Sequence, residues 1–516
     1  MSARVAAILV VAALAAAGCG ADDRAGPALV TTTTTATADG SSPSSTGGPS
    51  TIPSVPVEQV DCPASLARSD DAALACGIVT LPIDRDDPAL GTTRVTVATL
   101  AGYDSGFETP LAVLQGGPGG ASSELGSWFP RQAFTQVFVD QRGTGFAGPN
   151  FDCHEIVDAL GRVLGSDSIE GGIVADAAYD DCARRLDDDL VLRNTDTGAH
   201  AADVADVMRG LGYDRWTVYG VSYGSTIALE ILRDEPAGLV GAVLDGVYPP
   251  DLDTDLSLVD SAERAVDVID RACAVESRCR GYLADGSFRQ TLERVMDELD
   301  RSPMRVAVTG NEIGYTAGID VVLDGQRVAE LSFLLMYHES LLRHLPAVIG
   351  GLDDRDPASA RWLATTGSRL LVSSQSANRE GTYFAVQCRD RLPFTGGPGV
   401  DLPPFGGAVA AASLAEICEE WEREPAEPEA DDPVESMIPT LLLSGTYDPI
   451  TPPGLAERVA QRLEPVTVVE QGGRGHGIWY GSECIAQIVQ LFVADPARTL
   501  DTSCADEPFP VEWARP

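Results

Sequence analysis

Three side chains in this sequence have the types, order and setting needed to open an acyl bond. Ser222 stands in Gly220-Val221-Ser222-Tyr223-Gly224, Asp448 in Gly445-Thr446-Tyr447-Asp448-Pro449, and His476 between Gly475 and Gly477. A serine hydroxyl attacks a carbonyl when a base takes its proton, and an imidazole serves as that base when a carboxylate fixes its tautomer. Of five histidines, only His476 lies on a glycine-flanked loop behind an apolar run. A Gly-x-Ser-x-Gly between strand and helix is a nucleophile elbow, whose glycines allow a turn sharp enough to lift the serine oxygen clear of the sheet. Asp245 is a rival for the acid, since it also follows a strand.

Those residues need a scaffold, and the flanking pattern supplies one. Trp216–Tyr219, Pro439–Leu443 and Val466–Val469 read as buried strands ending just before the elbow, the acid and the histidine. Further strands are expected at Gly77–Pro82, Thr93–Leu100, Leu111–Leu114, Val137–Val139 and Leu239–Leu244. Helical patterns alternate with them at Ala175–Leu186, Ala199–Leu211, Gly454–Leu463 and Ile485–Val493. Such alternation predicts an α/β-hydrolase fold, a mostly parallel sheet with helices on both faces and an active site at the carboxyl ends of the strands. Gln115-Gly116-Gly117-Pro118-Gly119-Gly120 has neither dinucleotide spacing nor a lysine for phosphate, so it reads as an oxyanion loop. Between Pro249 and Glu435 helical patterns take over, at Ser257–Ala274, Ser287–Leu299, Gln326–Gly350 and Ala411–Glu422.

Composition narrows the chemistry. The 516 residues carry a net charge of −41, which argues against nucleic acid as a partner. All 36 basic residues are arginines, removing Schiff-base chemistry, a Walker lysine and a Ser-Lys dyad. Five scattered histidines and no CxxC spacing give no metal site, and no cofactor is required. Arg4 and the apolar run Val5–Ala17 form an export leader closing on Leu14-Ala15-Ala16-Ala17-Gly18-Cys19, a pattern resembling a bacterial lipobox with Cys19 as the lipidated residue. The ten other cysteines are even in number and suit disulfides; pairing in sequence order closes the shortest loops. The expected organisation is a lipoprotein signal peptide at 1–19, a Thr/Ser/Pro-rich tether at 20–58, core at 59–248, a mostly helical lid at 249–435 and core again at 436–516.

QGGPGGAS at 115–122, DQRGTG at 140–145, YGVSYGS at 219–225, GTYDPITP at 445–452 and GHG at 475–477 together resemble one family. It is the α/β-hydrolase family of proline iminopeptidases and tripeptidyl aminopeptidases, with related exported actinobacterial enzymes. The resemblance implies Ser222 as nucleophile, Asp448 as acid, His476 as base, and the N–H groups of Gly117 and Tyr223 as the oxyanion hole. Gln115 departs from the histidine that opens this loop in proline iminopeptidases, which leans towards the tripeptidyl branch.

The expected function is therefore an exported serine hydrolase cleaving peptides from a free N-terminus, anchored to the outer face of the cytoplasmic membrane by lipid, or secreted. A cell-envelope carboxylesterase or lipase is the alternative, and a surface binding protein without chemistry the third. An aminopeptidase must also hold an ammonium group, costly to bury without a partner. Asp390, beside the apolar Tyr383–Val386 run, is the expected acidic partner.

Overall fold

The computed structural model describes residues 55–516, apart from 69–71, 73, 105, 397–401, 411–413, 422–423 and 508. The leader, Cys19 and the tether up to residue 54 lie outside the described residues. Nine strands form one sheet: β1 Val57–Val60, β2 Leu74–Pro82, β3 Thr92–Leu100, β4 Leu111–Leu114, β5 Gln136–Val139, β6 Trp216–Val221, β7 Leu239–Asp245, then the last two, Thr440–Gly445 and Val466–Gln471. A separate two-stranded hairpin, β8 Met304–Val308 and β9 Ile319–Leu323, precedes those two, which are therefore β10 and β11. The spatial order is β1-β2-β3-β5-β4-β6-β7-β10-β11. From β5 to β11 every neighbour is parallel, while β1, β2 and β3 form an antiparallel edge. The sheet begins two residues inside the expected tether, because Val57–Val60 pairs with β2.

The parallel strands β4 and β6 are buried at every position, the near-continuous apolar run that a sheet covered on both faces requires. One face packs against the helix Thr197–Gly210, the helix Tyr223–Asp234 and the helix Pro453–Ala460; the other receives Trp479 and the helix Glu483–Ala494.

A third apolar cluster forms the cap over the carboxyl ends of the strands, and it contains more chain than the span 249–435. Leu160, Val163, Tyr179 and Leu186, on the helices His154–Gly165 and Ser168–Leu186, pack in it with Phe333, Phe384 and Trp421. Tyr315 joins the two parts: its hydroxyl donates to Asp158 O at 3.0 Å and accepts from Gly161 N at 3.2 Å. The expected helix Gln326–Gly350 is three helices, Gly325–Met336, Glu339–Leu342 and Leu345–Asp353, the last restarting with Pro346 in its first turn. The expected helix Ala411–Glu422 lies partly outside the described residues, and Leu414–Ile417 is its helical part.

Five disulfides join Cys62–Cys76, Cys153–Cys182, Cys273–Cys279, Cys388–Cys418 and Cys484–Cys504, the pairing in sequence order. Each crosslink of this kind stabilises a fold by about 2–4 kcal/mol.

Candidate active site

Ser222 follows the last residue of β6 with φ 56° and ψ −127°, a strained conformation for a non-glycine residue, and the helix Tyr223–Asp234 starts at the next residue. A side chain at Gly224 would place its Cβ 2.4 Å from Leu114 O, so only glycine lets the elbow pass this close to β4. Asp448 and His476 emerge from the carboxyl ends of β10 and β11. The Asp448 Oδ2 lies 2.8 Å from His476 Nδ1, and both groups are buried. Asp448 Oδ1 accepts from the N–H groups of Ile450 (3.0 Å) and Thr451 (2.8 Å), which aims the carboxylate. Thr451 Oγ1 donates to Asp448 Oδ2 at 2.8 Å and stands 3.0 Å from His476 Nδ1. Sequence reasoning passed over Thr451, although its place three residues past an aspartate is a familiar turn signal.

Burial alone would lower the His476 pKa, but the charge and hydrogen bond of Asp448 outweigh it and raise the imidazole above its ordinary value. Burial alone would raise the Asp448 carboxyl, and His476 outweighs it in the opposite direction. The two groups therefore favour an aspartate–imidazolium pair, the charge state a general base passes through.

Asp245 has a different place from the one an acid would need. It accepts from Ile478 N and Trp479 N at 2.9 Å each and from Tyr219 Oη at 3.0 Å. It anchors the backbone just after His476, and burial raises its pKa.

The cavity over Ser222 is lined by Gly117, Tyr223, Tyr248, Thr254, Leu258, Tyr337, Tyr383, Gln387 and Ile450. Tyr223 opens its helix, so its N–H has no partner one turn back and is free for an oxyanion. The Tyr337 ring packs edge-on against the His476 imidazole at 5.3 Å between centroids. Tyr337 and Gln387 line the cavity, and Tyr337 Oη and Gln387 Oε1 are buried without a hydrogen-bond partner among the described residues.

Asp390 is not among the residues lining this cavity. Its Oδ2 accepts from Thr197 N at 2.8 Å and Thr197 Oγ1 at 2.6 Å, capping the start of the helix Thr197–Gly210. Burial, with Asp196 alongside, pushes its carboxyl up to about 7. In this structure the carboxylate expected to meet the substrate's amine serves the start of that helix. Thr197 Oγ1 and His200 Nδ1 each lie 3.1 Å from Tyr223 Oη, so Asp390 and His200 brace the residue after the serine from behind. Burial drives the His200 imidazole down to about 3, which keeps it neutral.

Asp140 and Arg142, in the motif at 140–145, are structural. Ser123 N donates to Asp140 Oδ1 at 2.7 Å, and the buried Arg142 makes a two-point ion pair with Asp203, 2.7 and 3.0 Å. Removing one partner of such a buried pair costs about 3–5 kcal/mol.

Residues 109–267 match the family model described as the alpha/beta hydrolase fold, and residues 403–504 match that of TAP-like proteins. The chain is similar to serine protease Hip1 of Mycobacterium tuberculosis, 22% identical over 474 residues that span 85% of this chain and 88% of the relative. It is also similar to a proline iminopeptidase of Neisseria gonorrhoeae, 29% identical over 140 residues, 27% of this chain and 33% of that protein. Among solved structures, a proline iminopeptidase of Mycobacterium smegmatis aligns at 16% identity with a TM-score of 0.37, across 81% of this chain and 97% of its own. The sheet order, the elbow and the family matches define a hydrolytic enzyme. The chain belongs to the α/β-hydrolase family, with a TAP-like C-terminal region.

Proposed function

We propose that the chain is an exported serine peptidase that cleaves peptides from a free N-terminus through an acyl-enzyme on Ser222. The observation that carries this reading is one arrangement: a strained serine and an aspartate-paired histidine emerge from parallel strands of one sheet, under a cap. The similarity to a serine protease over most of the chain supports the peptidase class. In this mechanism Ser222 Oγ attacks the carbonyl while His476 takes its proton, with Asp448 holding the imidazole. The N–H groups of Gly117 and Tyr223 receive the oxyanion, and His476 returns the proton to the leaving amine. Water, activated by the same imidazole, then releases the acyl group. A roofed serine suits the end of a chain better than its middle. The five disulfides support an oxidising compartment, and the leader ending at Cys19 supplies the route and the lipid anchor.

The cavity lining favours a second reading. No carboxylate lies among the described residues that line it, and an uncharged slot of tyrosines, leucine and isoleucine would also take an ester's acyl group. Peptide arylamides with free and N-acetylated termini, assayed beside short acyl esters, separate the two. The free peptides are expected to be cleaved at least about 10-fold faster, the scale of one hydrogen bond to a charged group. Equal rates on both peptides would establish the esterase reading instead.

Gln387 lines the cavity beside Ser222, and its carboxamide has the chemistry to meet the substrate's N–H groups. Gln387→Leu is expected to raise KM for free peptides by about 10-fold or more while leaving kcat on acetate esters within twofold. Steady-state kinetics on both substrates check this.

A further inference from the structure

The oxyanion hole needs a donor aimed at the right point, and glycine-rich loops do not aim themselves. The loop that carries Gly117 is gripped from two sides. On the core side, the carboxamide of Gln141 accepts from Gly119 N at 2.9 Å and donates to Gln115 O at 3.0 Å and Gly116 O at 3.1 Å. The last of these contacts matters most. Gly116 O and Gly117 N–H belong to one trans peptide unit and point to opposite sides of it. Holding the oxygen against Gln141 therefore fixes the direction in which Gly117 N–H points.

On the cap side, Arg379 N donates to Gly119 O at 3.1 Å. The Asn378 carboxamide faces two carbonyls, Pro118 O and Gly119 O, so the hydrogen-bond network assigns its nitrogen to that side, where it reaches both at 3.2 Å. The approach is too close for any side chain: Gly119 has φ 99°, and a Cβ on it would stand 2.6 Å from Arg379 O. Asn378 directly follows the cap helix Pro357–Ala377. The histidine loop is tied to the cap in the same way, through the Arg474–Glu339 ion pair.

We propose that Gln141 is the positioning residue that aims the Gly117 N–H into the oxyanion hole, and that Asn378 locks this arrangement from the cap. Neither side chain lines the cavity over Ser222, so neither is catalytic. The inference rests on the reading of Ser222 as nucleophile and Gly117 as oxyanion donor. It makes the cap a part of the catalytic geometry, since a cap that lifts away at Asn378 releases one wall of the oxyanion loop.

The test compares Gln141→Met, Asn378→Asp and Ser222→Ala on p-nitrophenyl acetate and its thiono analogue. A thiocarbonyl places a larger, weaker acceptor where the oxyanion would form, so the oxo-to-thiono rate ratio reports on the hole itself. Gln141→Met is expected to lower kcat by about 10- to 100-fold with KM within twofold, and to shrink the oxo-to-thiono ratio in step, as loss of an oxyanion donor does. Asn378→Asp keeps the shape of the side chain but loses its donors, and should move both quantities the same way by a smaller factor. It carries the test alone if Gln141→Met does not fold. An unchanged kcat, or a lowered kcat with an unchanged ratio, overturns the proposal. Acetate hydrolysis surviving in Ser222→Ala would instead overturn the reading on which it rests.

Discussion

Ser222→Ala is expected to remove turnover almost completely, by about a millionfold in kcat, while the folded protein keeps its thermal transition. The size of the effect follows from the way the site is assembled. His476 and Asp448 exist to activate one oxygen, and without it the pair has nothing to deprotonate. What remains is catalysis by the oxyanion donors and binding alone. The fold should tolerate the change because the elbow's backbone is held by other means. Ser222 N donates to Asp245 O at 3.1 Å, and Ser225 N closes the first turn on Ser222 O at 2.8 Å. Alanine adopts the φ of 56° no less readily than serine does. Labelling by a fluorophosphonate probe should vanish together with turnover. Labelling at another residue in the variant, with activity retained, would place the chemistry elsewhere.

Much of this site was legible because the elements that carry it are short and their patterns are extreme. β4 and β6 are apolar at nearly every position; Ser222 follows β6 directly, and Asp448 and His476 stand on the loops just past β10 and β11. The cap was read less well, for physical reasons. The hairpin β8–β9 carries Arg305 and Asp320 among valines, a weak alternation that sits between two amphipathic helices and is easily read as their linker. The helices His154–Gly165 and Ser168–Leu186 are amphipathic, but nothing in such a pattern says which apolar surface will receive them. They pack on the cap, where Arg327 lies fully buried in an ion pair with Glu330 and 3.2 Å from Val163 O. Asp390 illustrates the same limit from the other side. A carboxylate's partner depends on what the fold brings near, and here that was the start of a helix 193 residues upstream.

Asp448→Asn is expected to cost about 10,000-fold in kcat, and the way in which it fails should identify the acid. Oδ1 of Asp448 accepts from two loop N–H groups, so an asparagine keeps its oxygen there and turns its NH2 towards His476. Nδ1 then becomes an acceptor and the imidazole proton moves to Nε2, the nitrogen that must accept from Ser222. The base is lost although the fold is kept. The pH profile carries a second signature. In the native protein the carboxylate outweighs burial and holds the His476 pKa above its ordinary value. Because His476 must be neutral to act, kcat/KM should fall as pH drops through that raised pKa. Without the charge, burial dominates and the pKa falls, so the acid limb of the residual activity should shift to lower pH. Asp245→Asn should move that limb in the same direction but by less, since Asp245 binds the backbone N–H groups of Ile478 and Trp479 and acts on the imidazole through its charge alone. If Asp245→Asn instead produced the larger loss and the larger shift, the acid would be Asp245.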